Sequence, residues 1–306
     1  MWFDNNTPLD VFGFGHCCMD YLALVDPFPE KGRKGDVAQS IVIGGGPVPT
    51  ALLTLAKFGC RTGFSGKVGD DNDGRGVVEG LKAGGVDVSR MIIDPSAVTA
   101  RAFIWVDPRD ASRTVALDKT NISLPAADDL DEDMIASSRV FLCDGRAADA
   151  CLKGMAAARK HGVLTVLDAG AVRHRFQEML GLTDFAVVSS DLADTLSPEA
   201  SPAELARLLV GMGAGTAIVT VGENGALWSD GGAEGYAPGF SVEAVDTTGA
   251  GDVFHGAFIY GILNGWELER SIIFANAAAA LSCRRLSGRL GIPQLSEVES
   301  LLKLHE

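Results

Sequence analysis

Short apolar runs alternate with longer segments of helical periodicity along most of the chain. Six runs rich in β-branched and aromatic residues predict buried strands at Asp10–Phe14, Thr62–Val68, Val140–Cys143, Leu164–Leu167, Phe185–Val188 and Ala217–Val221. Apolar residues recur at helical spacing in Thr50–Phe58, Gly76–Ala83, Ala147–Lys160, Pro202–Leu209, Asp252–Leu263 and Leu268–Leu281. This alternation predicts an α/β protein with a mostly parallel central sheet and helices on both of its faces.

Two stretches interrupt the alternation and predict a second, smaller sheet. Residues 20–44 and 97–118 contain short β-type pieces, with turn signals at Lys31–Asp36 and Asp107–Asp110. No linker rich in Pro or Ser separates them from the rest, so we expect residues 1–306 to form one domain. The small sheet is then expected to lie over the strand ends of the core as a lid.

The charge balance narrows the range of partners. The formal net charge is −14, and the sequence has no tract of clustered Lys and Arg such as nucleic-acid binding requires. The acidic run Asp128–Asp133 is interpreted as a solvated stretch that opens a short helix, in preference to a metal site, because carboxylates are favourable at a helix start.

Cysteine use and the absence of long apolar runs indicate the compartment. The six cysteines form no C-x-x-C pair and do not cluster with histidines, which argues against structural zinc and a disulfide framework. Residues 1–10 are polar, and no apolar run approaches the ~18 residues that a membrane span needs. We therefore expect a reduced, cytoplasmic setting without membrane partners.

The segment Val245–Ala257 carries the most specific chemistry. Gly249, Ala250 and Gly251 leave the backbone bare where a helix is predicted to begin, so unpaired N–H groups and the helix dipole can bind an anion such as phosphate. Asp252 follows at once, and a carboxylate there would repel that anion. The combination favours phosphoryl transfer, with Asp252 taking a proton from a hydroxyl while the N–H groups stabilise the moving charge.

Other glycine-rich segments leave alternatives open. No G-x-x-x-x-G-K-[ST] sequence is present, and Gly13–Gly15 begins like a dinucleotide fingerprint but has Cys18 at the third glycine position. A dehydrogenase that uses this segment stays an alternative. Gly44–Pro47 precedes a helical run, where glycines either admit a polyhydroxy ligand close to the backbone or form a flexible turn.

Asp246–Asp252 with Gly256 and Ala257, together with Gly44–Pro47 and Val68–Gly74, resembles the two signatures of the PfkB (ribokinase-like) carbohydrate kinases. The resemblance covers nearly the whole chain. It implies a ribokinase-like three-layer α/β/α core with a small β-sheet lid, and an ATP-dependent kinase that acts on a sugar hydroxyl. It also implies that Asp252 is the catalytic base and that the glycine-rich segment before it is the anion hole.

The resemblance further implies how substrates are held. Asp20 matches the residue that binds two sugar hydroxyls, and Gly45 and Gly46 match backbone contacts to the sugar. The positions that match the nucleotide-binding segments are Thr220, Gly222, Gly225 and Asn276. Mg²⁺ is expected with ATP, although Ser189–Asp194 lacks the N-x-x-E motif of many relatives. Asp246 and Thr248 match two ligands of a monovalent cation, such as K⁺, that some relatives bind.

Within the family, local segments resemble ketohexokinases and bacterial sulfofructose kinases. The expected acceptor is therefore a primary hydroxyl of a ketose-like sugar, and Arg146 is a candidate contact for an acidic group on it. A nucleoside kinase of the same family and a non-catalytic sugar sensor are the alternatives. The edges of a small lid sheet also favour pairing of two copies into a homodimer.

Overall fold

The computed structural model of the chain describes residues 8–119 and 121–305. Its strands are β1 Val11–Phe14, β2 Cys18–Val25, β3 Val37–Gly45, β4 Thr62–Ser65, β5 Lys67–Gly69, β6 Val86–Asp87, β7 Ile92–Asp94, β8 Arg101–Asp107, β9 Ser112–Asp118, β10 Val140–Cys143, β11 Leu164–Asp168, β12 Phe185–Ser189, β13 Thr216–Thr220, β14 Ala226–Ser229 and β15 Glu234–Ala237. Its helices are α1 Pro47–Lys57, α2 Asn72–Ala83, α3 Glu132–Ala136, α4 Ala148–His161, α5 Phe176–Leu180, α6 Ala193–Leu196, α7 Pro202–Gly211, α8 Ala250–Leu263, α9 Leu268–Ser282, α10 Gly288–Gly291 and α11 Leu295–Lys303.

Nine of these strands form the central sheet of the described residues, in the order β15-β14-β13-β12-β11-β10-β1-β4-β6. All neighbours from β13 to β6 pair in parallel, and only the β13–β14 and β14–β15 pairs are antiparallel. The carboxyl ends of the parallel strands therefore lie along one edge of the sheet, which is where open α/β sheets bind ligands. The prediction of a mostly parallel α/β core is confirmed.

Alternating side chains of the strands fill two separate hydrophobic cores. Val11 and Val140 point into the core under α1, α8 and α9, whereas their neighbours Phe12 and Phe141 point into the core under α4 and α7. Because successive strand residues face opposite sides, a sheet covered by helices on both faces needs apolar residues at every position. This requirement explains the continuous apolar runs of the sequence.

Strands β3, β2, β8 and β9 form a separate four-stranded sheet, in that order, which we call the lid sheet. Its strands fall within the two stretches predicted for it, apart from one or two residues at the start of β2 and the end of β3. One face buries Leu22, Ala102 and Ile104 against Leu286, which lies after α9. The lid sheet is thus attached to the carboxyl-terminal part of the chain by an apolar contact of its own.

Helix α8 lies inside the protein and packs between α1 and α9. Most of its residues are buried, including Val253, Phe254 and Phe258, so its sides need apolar residues in almost every direction. Its first turn is partly exposed, as are Tyr260 and Ile262 near its other end. The fold thereby fixes the start of α8 rigidly and leaves the same turn accessible.

The boundaries differ from the prediction in three places. The run Thr62–Val68 is divided at Gly66, after which the chain leaves the central sheet and β5 pairs with β7 instead. Helices α1 and α2 begin earlier than predicted, at Pro47 and Asn72, because proline and polar first turns are good helix starts but carry no apolar periodicity.

The acidic run opens a short helix, as interpreted from the sequence. Asp131 caps α3 by accepting hydrogen bonds from the N–H groups of Asp133 and Met134. Among the described residues no group of three or more His, Cys, Asp or Glu side chains is placed to hold a metal ion. In the same part of the chain, no helix is both long enough and apolar enough to cross a lipid bilayer.

Candidate active site

The start of α8 presents bare backbone. Gly249 precedes the helix with a φ of 75°, and a Cβ built on it would lie 2.8 Å from Gly288 Cα, so glycine is required there for two reasons. Gly251 is exposed, and a Cβ on it would meet no atom within 4 Å. No described side chain caps the helix. The N–H of Ala250 donates to the carbonyl oxygen of Thr247 at 3.3 Å, so the N–H groups beside it, those of Gly249 and Gly251, are the ones most readily available to an anion.

Asp252 lies in this first turn, partly exposed. The low polarity of its surroundings, followed by the charge of Asp168, raises its pKa to about 7. Asp168 ends β11, and its carboxylate lies 3.6 Å from Nε2 of His255. A carboxylate that titrates near neutral pH can accept a proton from an alcohol and release it again.

Asp246 ties the glycine-rich loop to the segment before α10. Its buried carboxylate accepts hydrogen bonds from the N–H of Thr248, at 2.8 Å, and from that of Ser287, at 2.7 Å. The hydroxyl oxygen of Thr248 is buried and has no hydrogen-bond partner among the described residues. The two predicted cation ligands thus lie together, and one of them offers a free oxygen.

The residues predicted to bind sugar meet where the lid sheet joins the core. Asp20 lies on β2, and its Oδ1 accepts a hydrogen bond from Cys18 Sγ at 3.2 Å. A Cβ on Gly45, across the β2–β3 pair, would overlap the Asp20 carboxylate. Gly46 has a φ of 108°, and a Cβ there would lie 2.5 Å from the carbonyl oxygen of His16. The glycines are therefore needed for close packing around the Asp20 carboxylate.

Arg289, on α10, belongs to the same site although no motif assigned it. Its Nη2 donates to the carbonyl oxygen of Gly45 at 2.9 Å, and its Nε donates to Thr50 Oγ1 at 3.4 Å. The enclosed position lowers the pKa of Arg289, and the nearby charge of Asp20 counteracts this shift. Arg289 thereby joins the residues predicted to bind sugar to the segment that packs on Gly249.

The lid sheet also reaches the anion hole directly. Arg113, on β9, donates from Nη1 to Thr247 Oγ1 at 3.1 Å. The same hydroxyl donates to the carbonyl oxygen of Ala111 at 3.1 Å, and Ala111 is held at a φ of 55°. The β8–β9 turn is therefore docked on the loop that precedes α8. A cation from the lid sheet lies beside the place where phosphate charge is expected.

The predicted nucleotide residues lie at the other end of the same edge. Thr220 ends β13 and donates its hydroxyl hydrogen to the carbonyl oxygen of Val188 at 3.2 Å. Gly222 and Gly225 follow with φ values of 60° and 93°. Asn276 is buried on α9, where its amide donates to the carbonyl oxygens of Ala237 and Pro238 at 3.1 and 3.0 Å. Its amide group holds the segment after β15 in place, and a role in binding adenine stays a prediction.

Arg146 follows β10 and lines a cavity of about 280 Å³ beneath the lid sheet. Its backbone N–H donates to Asp144 Oδ1 at 3.0 Å, and its Nε lies 3.8 Å from Asp144 Oδ2. Asp144 is buried and also accepts a 2.7 Å bond from the N–H of His16. Arg146 is thus positioned at the strand ends beside the residues that precede Asp20.

The geometry does not support a dinucleotide site at Gly13–Gly15. After β1 the chain continues directly into β2 of the lid sheet, so no helix start faces a ligand there. A Cβ on Gly13 would overlap Val48 and Leu52, and one on Gly15 would overlap Asp144. Both glycines are explained by packing, and the dehydrogenase alternative fails on this point.

Several site residues could not be located from the sequence. Asp144 follows the parallel strand β10, and Asp168 ends the parallel strand β11. Because such sheets often bind ligands at the carboxyl ends of their strands, these two positions could have been proposed as site residues from the sequence. Arg289 meets Gly45 and Thr50 across more than two hundred residues of sequence. No local pattern encodes a contact of that range.

Comparison with known proteins identifies the arrangement. The pfkB family carbohydrate kinase pattern matches residues 9–295. A 5-dehydro-2-deoxygluconokinase from Geobacillus kaustophilus is 26% identical over 328 residues, covering 99% of this chain and 96% of the relative. A ribokinase from Bacillus subtilis is 28% identical over 289 residues, covering 94% of this chain and 97% of the relative. The crystal structure of a putative ribokinase from Agrobacterium tumefaciens superposes with a TM-score of 0.88 at 25% identity, covering 97% of this chain and 98% of that protein.

The family explains what the site has in common with these proteins. Its members transfer a phosphoryl group to an alcohol and use ATP with Mg²⁺. The match extends over both the lid sheet and the central sheet, and the solved neighbour shares the ribokinase-like fold. The chain therefore belongs to the pfkB family of carbohydrate kinases.

Proposed function

We propose that this kinase transfers the γ-phosphoryl group of ATP to a primary hydroxyl of a ketose-like sugar, of the fructose or sulfofructose type, with Asp252 as the general base. The observation that carries the proposal is the position of Asp252. It lies in the first turn of α8 beside open backbone N–H groups, and its pKa is about 7. Such a carboxylate is ionised in a useful fraction at neutral pH and is basic enough to accept a proton.

In the proposed reaction, the carboxylate and the backbone N–H groups of one helix turn have separate roles. Asp252 accepts the hydroxyl proton as the alcohol oxygen attacks phosphorus. The N–H groups at Gly249, Ala250 and Gly251 bind the oxygens of the phosphoryl group, so the negative charge that moves onto them is stabilised without rearrangement. The bond between the γ-phosphorus and the bridging oxygen breaks, and ADP leaves with the electron pair.

The acceptor is held by the residues at the junction of lid sheet and core. Asp20 is proposed to accept hydrogen bonds from two sugar hydroxyls, because an ionised carboxylate accepts strongly and cannot donate. Gly45 and Gly46 allow the sugar to approach the backbone. Arg289 keeps Gly45 and Asp20 in register, and Arg146 is proposed to face an acidic group of the acceptor.

ATP is proposed to lie over the ends of β12 and β13, with Thr220, Gly222, Gly225 and Asn276 around it. Mg²⁺ is proposed to accompany ATP, where the nucleotide phosphates and water would supply most of its ligands. A monovalent cation, such as K⁺, is proposed beside Asp246 and Thr248. The buried, unpartnered hydroxyl oxygen of Thr248 supports that position.

Two relatives support a sugar or sugar-acid acceptor. The Bacillus relative is named a ribokinase, and the Geobacillus relative is named for 5-dehydro-2-deoxygluconate, a keto sugar acid. The cations that line the cavity beneath the lid sheet favour such acceptors over an uncharged nucleobase. We therefore rank a nucleoside kinase below a ketose kinase.

The test is an ADP-release screen with fructose, sulfofructose, keto sugar acids, ribose and adenosine as acceptors. Asp252→Asn is expected to fold normally and to lose roughly 10²–10⁴ of kcat, or about 3–5 kcal/mol of barrier. Asp128→Asn, which changes an exposed carboxylate, serves as the control and should keep full turnover. Retention of more than about a tenth of kcat by Asp252→Asn would refute the base assignment. Preferred turnover of adenosine would establish the nucleoside kinase, and sugar binding without ADP release would establish the sensor.

A further inference from the structure

The cavity beneath the lid sheet has an unusual concentration of positive charge for so acidic a protein. Its volume is about 280 Å³, close to the lower limit of small-ligand pockets. Four cationic side chains line it: Lys67, Lys119, Arg146 and Arg173. The chain as a whole carries a net charge of −14. A local excess of cations in such a chain costs electrostatic energy unless an anion is bound there.

The cationic residues come from different parts of the chain and converge on one place. Lys67 lies just beyond β4, Arg146 beyond β10, and Arg173 beyond β11, while Lys119 follows the lid strand β9. In the central sheet β4, β1, β10 and β11 are consecutive neighbours. The cavity therefore lies at the carboxyl ends of the parallel strands, where this class of sheet binds its ligands.

The cavity is next to the proposed acceptor site and away from the proposed nucleotide site. Gly15 and His16, which line it, lie a few residues before Asp20 on the same segment. Asp168 is close enough to act electrostatically on both Asp252 and Arg173. The nucleotide segment follows β13, which is two strands removed from β11. An anion in this cavity is therefore better explained by the acceptor than by the phosphates of ATP.

Internal ion pairs account for only part of the positive charge. Lys67 pairs with Asp94 at 2.9 Å and donates to Ser123 Oγ at 2.9 Å, which gives it a structural partner. Arg146 has a distant partner in Asp144 at 3.8 Å. The Nε of Arg173 is buried and has no hydrogen-bond partner in the described part of the chain. Arg173 thus carries the largest unmet requirement for an acceptor oxygen.

His16 supplies a second unmet polar group in the same wall. Its side chain is only 9% exposed, and its Nε2 has no hydrogen-bond partner among the residues described. Burial, together with the charges of Arg146, Lys119 and Arg173, lowers the pKa of His16 to about 4. The ring is therefore neutral at physiological pH, and it can hydrogen-bond a ligand without adding another charge.

We infer that this cavity binds a negatively charged group at the end of the acceptor remote from the phosphorylated hydroxyl, with Arg173 and Arg146 as the principal contacts. The inference rests on the proposed function, and it narrows the acceptor class from ketoses in general to acidic ketoses. The anionic group is a carboxylate, a sulfonate or a phosphate. Each of these presents several oxygens to the planar donor forks of two guanidinium groups.

The experiment compares a matched pair of acceptors, fructose and 6-deoxy-6-sulfofructose, with a keto sugar acid and fructose 6-phosphate as further arms. Steady-state kcat and KM are measured for wild type, Arg173→Gln, Arg146→Gln and Arg173→Lys. The control is Arg207→Gln on α7, which removes the exposed ion pair between Arg207 and Glu234. Circular dichroism and the melting temperature establish that each variant is folded.

Wild type should prefer at least one anionic acceptor over fructose by about tenfold or more in kcat/KM. Arg173→Gln and Arg146→Gln should each raise KM for that acceptor by about tenfold or more, with a clearly smaller effect on KM for fructose. Arg173→Lys should recover part of the loss, because it keeps the charge but loses the planar fork. The arm with the highest kcat/KM identifies the anionic group.

Calorimetric titration of the same acceptors without ATP tests binding in the cavity separately from the proposed phosphoryl transfer. Equal turnover of fructose and all anionic acceptors, or an equal loss on both types in the arginine variants, overturns the inference and leaves the kinase proposal standing. Arginine-dependent binding of an anionic acceptor without any phosphorylation supports the cavity assignment and overturns the proposed reaction. Absence of both binding and turnover for every acceptor overturns both.

Discussion

Asp252 shows how one residue can combine access to a substrate with an environment that favours its neutral form. It lies at the start of a buried helix, and the nearby charge of Asp168 further opposes its ionisation. Both effects raise the pKa of its carboxyl group to about 7 from its ordinary value of 3.8. The basicity of Asp252 is therefore a property of the folded site and not of the residue type.

The pH dependence of catalysis should report this shift. Only the ionised form of Asp252 accepts a proton, so kcat/KM for the acceptor is expected to rise with pH and level off above about 7. Asp168→Asn removes a neighbouring negative charge and should move the inflection to lower pH. Rate profiles between roughly pH 5 and 9 test both points. A flat wild-type profile, or an inflection that moves to higher pH in Asp168→Asn, would contradict the assignment.

The same shift predicts a pH-dependent effect on stability. The folded state holds the Asp252 proton more tightly than the unfolded state, so this group's contribution is fully present below the unfolded pKa and is lost as pH rises through about 7. Asp252→Asn should therefore raise the melting temperature at pH 8 by about 2–4 °C and have little effect near pH 4. Calorimetry with Asp128→Asn as the exposed control checks this, and an equal effect at both pH values would count against it.

Gly249 should be far less tolerant of substitution than an unconstrained helix glycine such as Gly80. Alanine at Gly249 would need a φ of 75° and would press on Gly288, so Gly249→Ala is expected to cost about 1–3 kcal/mol of stability and most of the activity. Gly80 on α2 has no such restriction, and Gly80→Ala should be neutral or stabilising. Urea unfolding and ADP release compare the two variants. Near-wild-type turnover by Gly249→Ala would show that the anion-hole geometry is not required.

At the scale of elements, the short helix α10 connects the residues predicted to bind sugar with the predicted anion hole. Gly288 packs on Gly249, and the adjacent Arg289 reaches Gly45 and Thr50. Two consecutive residues at the start of α10 therefore link the two parts of the site.

Arg289 is accordingly expected to act as a positioning residue for the acceptor. Arg289→Met keeps most of the apolar bulk but leaves Asp20 without its opposing charge, and it should raise KM for the acceptor by about 10–100-fold with a smaller effect on KM for ATP. Arg284→Met, at an exposed neighbouring position, is the control. Steady-state kinetics with each substrate varied in turn makes the comparison. Parallel increases in both KM values would indicate a general loss of structure instead.

The sequence was most informative where a local pattern has a single structural cause. Alternation of apolar residues into two cores made the parallel strands predictable, and the bare glycines before Asp252 made the uncapped start of α8 predictable. Helix starts such as Asn72 were missed because caps are polar. The turn away from the sheet at Gly66 was missed because a single glycine within a β-type run does not by itself distinguish a turn from a continuing strand. Arg289 and Arg173 were missed because their roles depend on residues that are distant in sequence.

At the scale of the whole molecule, the outer face of the lid sheet carries exposed apolar side chains. Val42 and Phe103 both lie opposite Tyr21 in the strand register, and Trp105 follows on the same face. They are 59%, 38% and 39% exposed, respectively. The other face of the sheet is turned toward the core. A contiguous apolar surface of this kind is favourable for association.

We expect this face to support the homodimer predicted from the sequence. Sedimentation equilibrium at micromolar concentration should give twice the chain mass of 32.0 kDa for wild type. Trp105→Glu should shift the distribution toward monomer, because it places a charge within the apolar contact. The exposed Leu304→Glu, remote from the lid sheet, should leave the distribution unchanged. A monomeric wild type would refute the dimer, and a dimer unaffected by Trp105→Glu would place the interface elsewhere.

The proposed transfer chemistry and the proposed selection of the acceptor are built from separate parts of this molecule. The first turn of a buried helix carries the proposed base and anion hole, whereas the cationic cavity is made from single residues at the ends of independent strands. Exchanging those strand-end residues leaves the helix and both cores untouched. New acceptor preferences can therefore be engineered, or acquired during divergence, by a few loop substitutions without rebuilding the catalyst.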